Sequence, residues 1–343
     1  MTQATCATEE ALVAFCALVR AEGARLYRDL PWRNTRDPWL VLLSEVMLQQ
    51  TQVSRVLRHW SRFSAAFPTA EALAAASTTD VLSFWQGLGY NRRALALKRA
   101  AERIAYDHKG TIPATRDTLL TLPGVGPATA SGVCIFAFNE PQVYLETNVR
   151  AVFLHHFFTE SALLFDPSGS STAGPTADPQ PAQTPGSQPD AKRGPTPGSQ
   201  PDAERGPVPD SQPDATRGPV HDREIIPLIE ATCDRVDPRG WYYALLDYGN
   251  HLKKTLPNPS RASKHHTRQS RFEGSVRQKR AWLLRELLAL GEATTEELCV
   301  SLNRAEHRAS RPDLSLEELQ AILTALASEG FIVEQAKGWT IRG

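Results

Sequence analysis

The stretch DTLLTLPGVGPATASGV (Asp117–Val133) decides the reading of this chain. A short helix ends at Pro123-Gly124-Val125-Gly126, and Pro127 opens the next helix at its first position, where a missing N–H costs nothing. Gly124 and Gly126 let the backbone come close to a ligand. The N–H groups at the start of the second helix form an anion site of a kind suited to phosphate. The bland alternative is an ordinary turn between two helices. The candidate contacts to a phosphate backbone are Leu122, Gly124, Val125, Gly126, Ala128 and Thr129.

Working outward, residues 8–158 read as successive amphipathic helices with short breaks and no useful strand alternation, so the region is all-α. TEEALVAFCALVRAEGARLY (Thr8–Tyr27) is one such stretch. PWLVLLSEVMLQQTQVSRVLRHWSRF (Pro38–Phe63) reads as one long helical stretch. From about residue 166 the composition changes. PGSQPDAKRGPT, PGSQPDAERGPV and PDSQPDATRGPV repeat every twelve residues, with too few apolar residues to offset the entropy of ordering. Residues 159–222 are therefore expected to be a disordered insert, either an inert surface loop or a tether for a partner. Helical patterning resumes at EIIPLIEATCDRV (Glu224–Val236) and GWYYALLDYGNHLKKT (Gly240–Thr255), so the insert interrupts one domain (1–158 and 223–274). A second unit, 275–343, reads as three helices and a two-stranded hairpin around Lys337 and Gly338. The capping boxes Thr294/Glu297 and Ser315/Glu318 open its second and third helices. That order resembles a winged helix, a module that binds DNA or protein or simply packs.

The formal charge of zero conceals an asymmetry. Glu160–Asp222 carries nine acids and four bases, which leaves 34 bases against 29 acids elsewhere. Between Tyr248 and Arg285 ten bases, Arg268, Arg271 and Arg277 among them, face only Glu273. Clustered positive charge attracts polyanions, though a solvated basic face is the plain alternative. No run of about 18 apolar residues appears, so no membrane partner is expected. Five scattered cysteines suit a reducing compartment better than a disulfide framework. The expectation is a cytoplasmic, nucleoid-associated monomer.

Three further motifs surround the hairpin: SEVMLQQTQV (Ser44–Val53), FWQGLGYNRRALAL (Phe84–Leu97) and YLETNVRAV (Tyr144–Val152). With the hairpin they resemble the adenine DNA glycosylases of the MutY type, in the helix-hairpin-helix (HhH-GPD) superfamily. The resemblance is close over about 27–158 and looser over 223–275. It implies a two-lobed all-α glycosylase fold and base excision from double-stranded DNA that carries a damaged or mispaired base. It implies that Glu45 is the acid that protonates the purine ring. Glu146 occupies the place of the family's second acid, an aspartate, and Asn148 supports it. Gln49, Gln50 and Tyr90 match elements that probe the duplex and fill the hole left by a flipped base. The oxocarbenium-like transition state of glycosidic cleavage calls for one proton donor and one carboxylate, which the two glutamates supply.

The departures from the family matter as much. The lysine that gives bifunctional relatives their lyase step is here Ala128, which cannot form a Schiff base, so water is the expected nucleophile. LPNPSRASKHHTRQSRFEGS (Leu256–Ser275) contains no cysteine where relatives hold an iron–sulfur cluster, so no cluster is expected. His265 and His266 are adjacent and poorly placed for one metal ion. A monovalent cation on the hairpin's carbonyls remains compatible with the sequence. The recognition domain for 8-oxoguanine is replaced by 275–343, and Asn91 stands where an aromatic is frequent. Three functions stay open: excision of adenine opposite 8-oxoguanine or guanine, excision of another base by the same mechanism, and lesion binding without catalysis. Retention of both carboxylates counts against the last, because backbone binding needs neither.

Overall fold

The structure, a computed structural model, describes residues 7–158, 219–265 and 271–343. The twelve-residue repeats, Arg268 and His266 lie outside the described residues.

Two helices form the centre of one lobe. Helix α2 (Pro38–Leu48) is apolar almost all round, and α8 (Pro127–Phe138) buries every residue from Thr129 to Phe136. Helices with no polar face must be covered on all sides. The cover comes from α3 (Val53–Ala66), α4 (Ala70–Ala75), α5 (Thr78–Trp85), α6 (Arg92–Asp107) and α7 (Arg116–Leu120). The other lobe joins α1 (Glu9–Arg25) to α9 (Thr147–Phe157), α10 (Asp222–Thr232) and α11 (Pro238–Thr255). Its centre is Phe15, whose ring lies 5.2 Å from Phe153, 4.9 Å from Phe157 and 6.3 Å from Trp241. The chain leaves this lobe after α1 and returns to it at α9.

Buried charge ties the lobes together. Asp247 of α11 is fully buried and accepts hydrogen bonds from Arg33 at 2.7 and 2.8 Å and from the Arg28 side chain at 2.6 Å. Arg239 donates to the carbonyls of Arg33 and Thr35, both at 2.7 Å, and to that of Phe136.

Two boundaries differ from the sequence reading. Pro38–Phe63 is two helices, because Gln50 takes a left-handed conformation (φ 52°) and breaks the run. Arg93 stabilises that break by donating to the carbonyls of Val46, Met47 and Gln49 at 2.9, 3.0 and 2.5 Å. A guanidinium there also sits favourably at the negative end of the α2 dipole. The second lobe resumes before residue 223: α10 starts at Asp222, and Val220 forms an isolated bridge with Ser263, bonding to Ala262 and Lys264 on either side.

The C-terminal unit runs α12 (Val276–Leu290), β1 (Glu292–Ala293), α13 (Thr295–Arg308), α14 (Leu316–Ser328), β2 (Ile332–Gln335) and β3 (Gly338–Ile341). Both capping boxes form. The expected two-stranded hairpin is in fact the larger part of a three-stranded antiparallel sheet, order β1-β3-β2. The two residues of β1 are too few to show the period-2 alternation by which a strand is read from sequence. This arrangement is a winged helix. It is latched to the first lobe by Glu329, which accepts from Arg92 at 2.6 Å through both oxygens and from Arg280 at 2.6 Å.

Candidate active site

Glu45 lies on the one face of α2 that meets α8. Its neighbour there is Gly132, where an added Cβ would fall 2.2 Å from the Glu45 carboxyl oxygen, so a side chain at 132 would push the carboxyl from its place. Solvent reaches Glu45 only in part. Burial pushes its carboxyl up to about 8, a hydrogen bond from Tyr144 opposes the shift, and the negative charge of Glu146 adds to it. The carboxyl is therefore protonated at neutral pH.

Glu146 arrives from the other lobe as the residue that caps α9. Its carboxylate accepts from the backbone N–H of Asn148 at 2.6 Å and of Val149 at 3.0 Å, a task usually given to the shorter Asp, Asn, Ser or Thr. The extra methylene is taken up by folding back onto its own helix. Burial raises the Glu146 carboxyl, while the Val149 N–H, Lys253 and the backbone and side-chain amides of Asn148 hold it down. Glu45 has no such set of donors. Of these two carboxyls, Glu146 is the one held by amide donors and Lys253, and Glu45 the one that burial pushes up to about 8.

Sequence reasoning missed Tyr144. Its hydroxyl donates to Glu45 Oε2 at 3.3 Å. Its ring is fixed edge-on against Phe136 (5.5 Å) and Tyr242 (5.4 Å). Tyr242 in turn donates to the Gln142 carbonyl and accepts from the Tyr144 N–H. The signal was a tyrosine two residues before Glu146, which nothing but three-dimensional proximity connects to Glu45. Arg93 and Lys253 were missed for the same reason.

The candidate duplex probes cluster at one end of the first lobe. Gln49 is turned toward the hairpin, where its amide donates to Thr129 Oγ1 at 2.9 Å and to the Gly124 carbonyl at 3.4 Å. Gln50 is exposed. Gln50 and Tyr90 (φ 49°) are two of the five non-glycine residues with positive φ among the described residues. Such conformations cost on the order of 1–3 kcal/mol and collect at functional sites.

In the hairpin, Gly124 has φ 76°, and a Cβ there would fall 2.6 Å from that of Ala96. Glycine is needed at this position for the turn and for packing on α6, while Gly126 faces open space. Leu122 and Val125 are buried, so a contact from either would have to come from the backbone. Thr129 is buried under Gln49, and Ala128 is exposed at the start of α8, whose N-cap, Gly126, supplies no side-chain acceptor. At this turn the Thr121 and Leu122 carbonyls accept from Arg103 and Val125.

Residues 43–163 match the family model of the HhH-GPD superfamily base excision DNA repair proteins. An adenine DNA glycosylase of Mycobacterium tuberculosis is 48% identical over 129 residues, which are 37% of this chain and 42% of the relative. That of Mus musculus is 34% identical over 165 residues, 41% of this chain and 32% of the relative. A thymine/uracil-DNA glycosylase of Pyrobaculum aerophilum is 37% identical over 126 residues, 36% of this chain and 55% of the relative. Residues 43–163 thus match an HhH-GPD domain and are similar in sequence to adenine DNA glycosylases. A solved thermostable thymine-DNA glycosylase superposes with a TM-score of 0.49 at 20% identity, over 69% of this chain and 85% of that one. The chain spans between a third and little more than half of the length of these curated relatives.

The matched segment of the HhH-GPD domain contains Glu45, the hairpin and Glu146, while Lys253 and Asp247 come from beyond it. Where a cluster loop would stand, the chain is instead held by hydrogen bonds. Ser260 donates to the Thr147 carbonyl at 3.2 Å, and Val220 bonds to both Ala262 and Lys264. No cysteine lies in this stretch, so the residues present do not fit a cluster. Among the described residues no group of three or more His, Cys, Asp and Glu is placed to hold a metal ion. His265 packs near His221, with ring centres 6.4 Å apart. Arg271 is exposed beside Glu273.

Proposed function

We propose that this chain is a monofunctional DNA glycosylase that removes adenine mispaired with 8-oxoguanine or guanine from double-stranded DNA. The observation that carries the reading is a pair of unequal carboxyls contributed by the two lobes: Glu45, pushed up to about 8 by burial, and Glu146, held by the amides that open α9. Glu45 gives its proton to the extruded purine, the C1′–N bond breaks with its electron pair going to the base, and the Glu146 carboxylate offsets the positive charge left on the sugar. Water adds to C1′ and returns a proton to Glu45. Ala128 offers no amine, so the product is an intact abasic site. The hairpin and the first-turn amides of α8 hold a phosphate. Gln50 and Tyr90 occupy the space that the extruded nucleotide vacates.

The test is single-turnover excision by the full chain. The duplexes carry adenine opposite 8-oxoguanine, guanine or thymine, and uracil, hypoxanthine or thymine opposite guanine. Free adenine is expected, with strand scission only after alkali. Release of thymine or uracil in its place would transfer the reading to the substrate named for the Pyrobaculum relative. Scission without alkali would overturn the monofunctional assignment.

Tyr144→Phe provides a second check. The phenol donor favours the ionised form of Glu45, so its loss should shift the alkaline limb of the pH–rate profile upward by up to about one unit. An unshifted limb would show that Tyr144 only fills space.

A further inference from the structure

Resting on the function just proposed, we infer that Phe272 and Arg277 of the C-terminal unit extend the Tyr90 wedge and contact duplex DNA where the nucleotide is extruded. Arg277 Nη1 donates to the Tyr90 hydroxyl at 2.8 Å. Its guanidinium lies between two rings, 5.7 Å from Tyr90 and 6.0 Å from Phe272. A second guanidinium, that of Arg93, lies 5.6 Å from the Tyr90 ring. Two aromatic rings and two arginines contributed by separate units thus form one cluster.

Phe272 is about half exposed (52%), although the core of its own unit is an arm's length away in sequence. Its backbone is tied into a turn. Ser275 donates to the Phe272 carbonyl through its backbone N–H (3.1 Å) and its hydroxyl (2.5 Å), and Gly274 turns the chain at φ 74°. The Glu329 latch to Arg92 and Arg280 sets α12 against the first residue of α6, two positions after Tyr90. An exposed ring that is anchored, flanked by Arg271 and Arg277 and continuous with a candidate wedge, matches the stacking surfaces of nucleic-acid binders. There a base supplies the flat partner and a phosphate the charge. A protein partner would not require the cluster to coincide with Tyr90.

The test measures the affinity of the full chain for two duplexes, one carrying a tetrahydrofuran abasic analogue opposite guanine and one unmodified. Wild type is expected to prefer the first. Phe272→Ala should reduce that preference about tenfold, and Phe272→Tyr should restore it. Arg277→Ala should also reduce it. Unchanged thermal melting of the Phe272 variants would exclude loss of folding, since the side chain is outside the core. A preference equal to wild type in Phe272→Ala overturns the inference. So does an equal loss on both duplexes, which would mark a general contact away from the extrusion site. If wild type neither excises nor prefers the abasic duplex, the glycosylase reading itself fails, and this one with it.

Discussion

Glu45→Gln is expected to lower single-turnover excision about a thousandfold while leaving affinity for the abasic duplex within a few-fold of wild type. Glutamine keeps the size and hydrogen-bonding reach of the acid but has no proton to give, and general acid catalysis contributes roughly a hundredfold to ten-thousandfold. In wild type the reactive form is the protonated one, so excision should hold level at neutral pH and fall as pH rises through about 8. The same shift has a thermodynamic face. Between 4.5, the ordinary value, and about 8, the folded chain keeps a proton that the unfolded chain has released. The contribution of Glu45 to stability is then fully present below 4.5 and is lost as pH rises toward 8. Glu146 acts in the same direction, so the difference between wild type and variant isolates Glu45. Urea unfolding at pH 9 should find Glu45→Gln more stable than wild type, on the order of a few kcal/mol. A variant that excised normally would remove Glu45 from the chemistry.

Asp247→Ala is expected to destabilise the fold strongly, because it removes a fully buried carboxylate from between two arginines. The carboxylate has no solvent access and takes three side-chain hydrogen bonds and the Arg28 backbone N–H. Removing it leaves Arg33, itself buried, without its counter-charge. Breaking one side of a buried pair costs about 3–5 kcal/mol. For a domain of this size that corresponds to a fall in melting temperature of roughly 10 °C. Excision should drop as well, since Arg33 and Asp247 fix the lobe that carries Glu146 against the one that carries Glu45. A melting shift under about 2 °C would show that water or Arg28 compensates.

The sequence carried some of this architecture openly and concealed the rest for definite reasons. The hairpin was readable because glycine and proline punctuate it, and the capping boxes because their spacing is short. Glu45 and Glu146 emerged from a resemblance, and their pairing lies across a long sequence separation that no local pattern spans. The break after Leu48 was unreadable: LQQTQV has no glycine or proline, and the turn is held by Arg93, more than forty residues later. Leu122 and Val125 are buried within the hairpin, where their side chains anchor the turn to the core. The Glu329 latch and the Phe272–Arg277–Tyr90 cluster join units whose contact the sequence does not announce.

Gln50 and Tyr90 hold backbone conformations that glycine would adopt at no steric cost. The resting molecule therefore carries a small backbone cost at each of these side chains, a slight spring set at the two points where, on the function proposed above, a duplex would first be opened.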